Sequence, residues 1–194
     1  MLIFCIKLLK YLYICIYKKE TMRKLIIIAV LAMFVIPSFA QKVEWVSFEK
    51  AVKLNKQNPK KIMVDVYTDW CGWCKKLKKN TFNHPEIAQY INKNFYPVRF
   101  NAESDEPVTF MGKTFTKTGS RAKSPHQLAA ALLQGKMSYP SVAYLDEQNR
   151  LIAAVPGYYE PKDIEPILKY ISEDIYKKQK FEDFSKDFEN TLID

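Results

Sequence analysis

Two cysteines, Cys71 and Cys74, stand in the stretch TDWCGWCKK with Gly72 and Trp73 between them. A pair at this spacing can hold a metal, staple a loop or exchange electrons. A structural zinc site takes about four ligands, usually with a second Cys or His pair at short spacing. The chain offers only His84 and His126, 42 residues apart, so no metal is expected. A staple over so short a loop would stabilise little, because a small loop loses little entropy on closure. Electron exchange is the favoured chemistry. The thiolate is the reactive form of cysteine, and a helix start stabilises it with free N–H groups and partial positive charge. If Cys71 opens a helix, it is the expected nucleophile. Cys74, one turn further on, is then the expected resolving thiol.

The flanking segments supply that placement. KIMVDVYTD reads as a strand, with Ile62, Val64 and Val66 alternating against Met63 and Asp65. CGWCKKLKKNTF continues as a helix, and its Lys75, Lys76, Lys78 and Lys79 add positive potential. Upstream, Ser47 caps a helix over SFEKAVKLNKQ, ended by Asn58-Pro59. Downstream come a short helix in HPEIAQYINKNF and a strand in FYPVRFNA. A polar stretch, 102–123, carries a small hairpin turning at Met111-Gly112-Lys113. Then SPHQLAAALLQG is a helix with Ser124 as cap and Gly135 as stop. PSVAYLD and RLIAAVPG are two strands joined by Glu147-Gln148-Asn149. PKDIEPILKYISEDIYKK is an amphipathic helix with Ile164, Ile167, Leu168, Ile171 and Ile175 on one face, and FEDFSKDFENTL a shorter one. Strands alternating with helices, closed by a hairpin and a helix, predict an α/β sandwich around a mixed sheet.

Composition narrows the setting. The chain has 194 residues, 48% hydrophobic, enough for one domain with a core. Its net charge is +9, but residues 1–40 hold six of the basic and one of the acidic residues. The mild remaining excess, without an arginine-rich stripe, argues against nucleic acid as a partner. MRKLIIIAVLAMFVIPSFAQ, from Met22, has the charged, apolar and small-residue order of a signal peptide, with cleavage expected near Ala40. An uncleaved membrane anchor is the alternative, although the apolar run before Pro37 is short for a span of about twenty residues. Residues 1–21 read as an upstream extension. Removal of residues 1–40 takes Cys5 and Cys15 away and leaves Cys71 and Cys74 alone. The domain is then expected over 41–178, with a helical tail at 179–194.

VDVYTDWCGWCK resembles the thioredoxin-like family, in its secreted and periplasmic group. Asp65 stands six residues before Cys71, where the family has a buried acid, and Trp70 immediately before it. MSYPSVAYLD places Pro140 at the family's cis-proline, and Gly157 matches the family glycine. The resemblance covers about residues 43–178. It implies a thioredoxin-like fold, a central mixed β-sheet flanked by helices, with an inserted segment, 102–123, before the third helix. It also implies a substrate groove formed by Gly72, Trp73, Tyr139 and Pro140. Burial should raise the Asp65 pKa, and Asp65 could take the Cys74 proton through water. Arg99 stands where the family often has a lysine beside the acid, and should hold Asp65 ionised more firmly. Gly72-Trp73 replaces the Gly-Pro of ordinary thioredoxin, so the direction of electron flow is open.

The expected activity is thiol–disulfide exchange on protein disulfides, by reduction or isomerisation, without a dissociable cofactor. The group includes the C-terminal domain of the membrane thiol reductase that feeds electrons to the periplasm, which implies such a reductase as electron donor. Periplasmic or secreted location follows from the signal peptide, with membrane contact only through an uncleaved N-terminal segment. A dithiol oxidant, or a partner-binding module that kept the fold without turnover, are the rivals.

Overall fold

The computed structural model describes residues 41–192. The expected targeting segment, 1–40, and residues 193–194 lie outside the described residues. Strand β1 (Lys61–Tyr67) is the centre of the molecule. It pairs in parallel with β2 (Phe95–Asn101) and antiparallel with β5 (Ser141–Leu145). Strand β6 (Leu151–Pro156) pairs antiparallel with β5, so the order is β2-β1-β5-β6. In this arrangement the C-terminal ends of β1, β2 and β6 and the start of β5 meet at one end of the sheet.

Every residue of β1 from Lys61 to Val66 is buried, because helices cover both faces. On one face Ile62, Val64 and Val66 pack with Phe48 and Ala51 of α1 (Phe48–Gln57) and with Leu128, Ala129 and Leu132 of α4 (Gln127–Leu132). On the other, Met63 packs with Leu77 and Phe82, with α3 (Pro85–Asn94) through Ile87 and Ile91, and with α5 (Pro161–Ser172) through Ile164, Leu168 and Ile171. Ser47 caps α1 by accepting the Lys50 N–H at 3.2 Å.

Four local readings of the sequence are corrected. The helix that opens at the cysteines is α-helical only over α2 (Gly72–Lys76) and continues as a π-helix over Leu77–Phe82. The wider turn puts Leu77 and Phe82, five residues apart, on the same buried side. Asn83 and His84 then split this helix from α3, so the inserted segment precedes the fourth helix, α4. Helix α4 starts at Gln127, not after Ser124, because the His126 Nδ1 accepts the Leu128 N–H at 3.1 Å. Helix α5 ends at Ser172, short of the expected 178, and Ile175 falls in a separate 3₁₀ turn. The cause is a buried lysine. Lys61 Nζ reaches Glu147 at 2.8 Å and Asp174 at 2.9 Å, and a buried ammonium requires such partners. Asp174, at φ 60°, turns the chain to meet it.

The inserted segment forms β3 (Val108–Phe110) and β4 (Lys113–Phe115). Their turn uses Met111 at φ 49° and Gly112 at φ 77°, the paired positive angles of a type I′ hairpin. Phe110 seats the hairpin edge-on against Phe48, with ring centroids 5.0 Å apart. At the C-terminus, α6 (Phe181–Lys186) brings Phe181 and Phe184 onto Tyr170 of α5. The buried Glu165 carboxylate accepts the backbone N–H groups of Thr191 at 2.8 Å and Leu192 at 3.0 Å, which fastens the tail.

Truncation should separate the core from the hairpin. Phe48→Ala, at the centre of one layer, should cost about 3–5 kcal/mol. Phe110→Ala, half-buried, should cost about 1–2 kcal/mol. Urea unfolding measures both. A Phe110→Ala loss as large as that of Phe48→Ala would make the hairpin part of the core.

Candidate active site

Strand β1 ends at Tyr67. A turn closed by the Cys71 N–H donating to the Thr68 carbonyl at 3.2 Å passes the chain to α2. Cys71 is the N-cap of that helix, with extended backbone at φ −74° and ψ 102°. Its sulfur accepts the Cys74 N–H at 3.0 Å. A sulfur there satisfies one of the free donors of the helix start and is favoured as thiolate once the pair is reduced. The two sulfurs are joined at 2.06 Å. Cys74 is fully buried and Cys71 retains 5% of its surface. The expected nucleophile is therefore nearly covered, and its exposure comes through its neighbours. Gly72 is exposed, and a Cβ added there would meet no atom within 4 Å.

Trp70 and Trp73 flank Cys71, exposed at 56% and 57%. Each is held by a different edge of the sheet. Trp70 meets Tyr139 edge-on with centroids 6.1 Å apart, and its indole N–H donates to both oxygens of Glu103, just beyond β2, at 2.9 and 3.1 Å. Lys123 lies over the Trp70 ring at 5.3 Å. Trp73 meets Tyr158, just beyond β6, with centroids 5.4 Å apart. Lys76 Nζ is 4.8 Å from the centre of each of these two rings. Between the two pairs the Tyr139–Pro140 bond is cis, and the Pro140 carbonyl accepts the Gly157 N–H at 2.8 Å. Gly157, at φ 109°, adopts a backbone that a side chain would resist.

Asp65 is fully buried on the same face of β1 as Met63, the face that carries Leu77 and Phe82 from the cysteine helix. Its Oδ2 accepts from Arg99 Nε at 3.0 Å, across the β1–β2 register, and its Oδ1 has no partner. Burial raises the Asp65 pKa to about 6, against the lowering pull of Arg99 and, more weakly, Lys78. The guanidinium was expected to keep Asp65 firmly ionised; desolvation outweighs it. Arg99 is itself stacked 3.8 Å above the Tyr67 ring. His84 and His126 do not meet: both ring nitrogens of His126 are used, by the Leu128 N–H and the Glu106 carbonyl. Among the described residues no group of three or more His, Cys, Asp or Glu side chains converges.

The structure thus gathers Cys71, Cys74, Trp70, Gly72, Trp73, Tyr139 and Pro140 at one end of the sheet, with Asp65 and Arg99 paired inside it. Sequence reasoning missed Glu103, Lys123 and Tyr158, and read Lys76 only as one of four lysines that add positive potential. Glu103 and Tyr158 each follow the end of a strand that runs with β1, a position that marks them once the strand directions are known. Nothing in the local sequence marks Lys123.

The model of the thioredoxin-like domain family matches residues 48–172, and the chain belongs to that family. Among curated proteins it is similar to the thiol:disulfide interchange protein DsbD of Haemophilus influenzae, 27% identical over 107 residues. That match takes in 54% of this chain and only 15% of DsbD. Among solved structures, the DsbH oxidoreductase superposes with a TM-score of 0.52 at 19% identity, over 71% of this chain and 89% of that one. A thioredoxin-fold protein of Helicobacter pylori gives 0.51 at 22%, over 66% and 80%. Both show the fold. Family and paired cysteines together define a thiol–disulfide oxidoreductase.

Two outcomes test this geometry. With the pair reduced, iodoacetamide should modify Cys71 first, since Cys74 has no exposed surface; earlier labelling of Cys74, read by peptide mass, would reverse the order. The second concerns Asp65. Its folded pKa, about 6, lies above the unfolded value near 3.8. The stability it contributes is complete below about pH 4 and is lost as pH rises through about 6. Relative to Asp65→Asn, the oxidised protein should lose about 2 kcal/mol between pH 4 and pH 8. Parallel pH profiles of the two proteins in urea unfolding would show that Asp65 does not titrate in this way.

Proposed function

We propose that the protein reduces or isomerises disulfides of other proteins outside the cytoplasm, through a cycle at Cys71 and Cys74. The observation that carries the reading is the asymmetry of the pair: one sulfur at the helix cap between two exposed indoles, the other wholly buried. The reduced Cys71 thiolate attacks a substrate disulfide. One substrate sulfur leaves as a thiolate and takes a proton, and a mixed disulfide forms on Cys71. The Cys74 thiol gives up its proton and attacks the Cys71 sulfur. The second substrate thiolate leaves, and the Cys71–Cys74 disulfide is restored. Two electrons pass to the substrate, and an external dithiol must return them. Asp65, as carboxylate above about pH 6, is the base proposed to receive the Cys74 proton through water.

Similarity to a thiol:disulfide interchange protein supports a membrane thiol reductase as the proposed electron donor. The order of charged, apolar and small residues over 22–40 supports export, with cleavage near Ala40 and residues 1–21 as an upstream extension. The proposed working unit is the domain over 41–178 with its tail, 179–194. No helix among the described residues is long and apolar enough to cross a membrane.

Insulin reduction with dithiothreitol as electron source tests the enzyme. Wild type should turn over and Cys71→Ser should not. Cys74→Ser should accumulate a mixed disulfide, visible as a mass adduct. Absence of turnover in wild type would favour a binding module. Equilibration with glutathione tests direction: a potential below that of the glutathione couple is expected, and one well above it would make the protein an oxidant.

A further inference from the structure

The two indoles beside Cys71 are set in different ways, and each carries a lysine ammonium against its ring. Lys123 sits over Trp70, and Lys76 sits between Trp73 and Tyr158. Neither lysine is within ion-pair distance of a carboxylate among the described residues. The carboxylates at this end are turned to neutral donors instead. Glu103 accepts from the Trp70 indole, Glu160 from the Tyr158 hydroxyl at 2.7 Å, and Asp69 from the Asn101 amide at 3.0 Å. Each aromatic wall therefore presents an indole more than half exposed and a placed cation without an ion-pair partner among the described residues. The walls stand on opposite sides of Cys71, since one is tied to the end of β2 and the other to the end of β6, the two edges of the sheet. The floor between them is Gly72, open to solvent.

We infer that this cleft selects, among protein disulfides, an extended segment with a bulky apolar side chain on each side of its cysteine and carboxylates beyond them. The apolar side chains cover the exposed surface of Trp70 and Trp73, the large exposed apolar side chains at this end. The carboxylates meet Lys76 and Lys123, which the rings hold in place before the substrate arrives. Small disulfides such as oxidised glutathione span neither wall. Lys76, Lys123, Trp73 and Tyr158 are in this account specificity-determining residues; the electron transfer stays with Cys71 and Cys74. The inference rests on the proposed reduction of protein disulfides.

The test uses the reduced full-length protein and three synthetic peptides, each a symmetric disulfide of an eleven-residue chain with a central cysteine. The first has leucine flanking the cysteine and glutamate at both ends; the second exchanges glutamate for lysine, and the third leucine for serine. The glutamate–leucine peptide should be reduced about tenfold faster, in kcat/KM, than the lysine–leucine peptide at low salt. That preference should shrink to about twofold in 0.5 M NaCl, where charges beyond a few ångströms are screened. Lys76→Gln with Lys123→Gln should abolish the preference for the glutamate–leucine over the lysine–leucine peptide. Trp73→Ala should narrow the leucine-over-serine preference by about tenfold, acting on KM. Equal rates on all three peptides, or a charge preference that survives the double substitution, would overturn the inference while leaving the reductase reading intact. No reduction of any peptide, nor of insulin, would remove that reading and the inference with it.

Discussion

A strand covered on both faces governs this molecule. Because β1 is sealed by helices above and below, its register with β2 and β5 is fixed, and a slip by one residue would exchange Ile62, Val64 and Val66 for Met63 and Asp65. That rigidity passes to the turn at Thr68–Cys71 and so to the position of the Cys71 sulfur. The same strand fixes the neighbours of the site. Parallel pairing brings the end of β2, and hence Glu103, beside it, while the two antiparallel steps bring the start of β5 and the end of β6 to the same place. The cysteines, the cis-proline segment and both aromatic walls come from widely separated parts of the chain. They meet because four strands share one end.

Sealing β1 also buries a carboxylate away from bulk solvent. For Asp65 the balance between desolvation and a guanidinium at 3.0 Å is decided by burial, and the pKa settles near 6 rather than below 4. Arg99 is partly turned to solvent and stacked on Tyr67, so its field is diluted. A carboxylate poised there changes its charge within the range where such a protein would work. Lys61, at the opposite end of the same strand, shows the other outcome. It stays charged under burial because Glu147 and Asp174 reach it directly, and α5 is shortened to let Asp174 do so.

What the sequence disclosed follows from the range of the interactions. Alternation over β1 and the 3.6-residue pattern in α5 are local, and β1 and the start of α5 lie where they were expected. The Met111-Gly112 turn was legible for the same reason, since it needs two adjacent residues at positive φ. The cysteine pair and Asp65 were legible through their spacing. The errors occur where a distant group intervenes. The cap of α4 is an imidazole whose Nε2 meets the Glu106 carbonyl at 3.2 Å, while the His126 backbone N–H donates to the Ala102 carbonyl at 2.7 Å. The end of α5 is drawn by a lysine 111 residues away in the chain. The π-helix answers the need to bury Phe82, which rests on Trp45 with centroids 5.5 Å apart. No window of sequence holds both members of any of these pairs.

The inserted segment acquires a meaning from the same geometry. Glu103 lies at its beginning and Lys123 at its end, and both touch Trp70. Its middle, the β3–β4 hairpin, is anchored elsewhere, through Phe110 on Phe48 of α1. A lid would place its middle over the cysteines and its ends away from them. Here the order is reversed, so the segment braces one wall of the site and transfers that wall's load to the core. The opposite wall has a shorter brace, the Lys76 ammonium between Trp73 and Tyr158, which comes from the cysteine helix itself. Indoles braced in this way keep their orientation when a substrate arrives, and less side-chain freedom is lost on binding. An exposed aromatic ring that is held still is suited to recognition, and both such rings lie next to Cys71, the member of the cysteine pair that retains exposure.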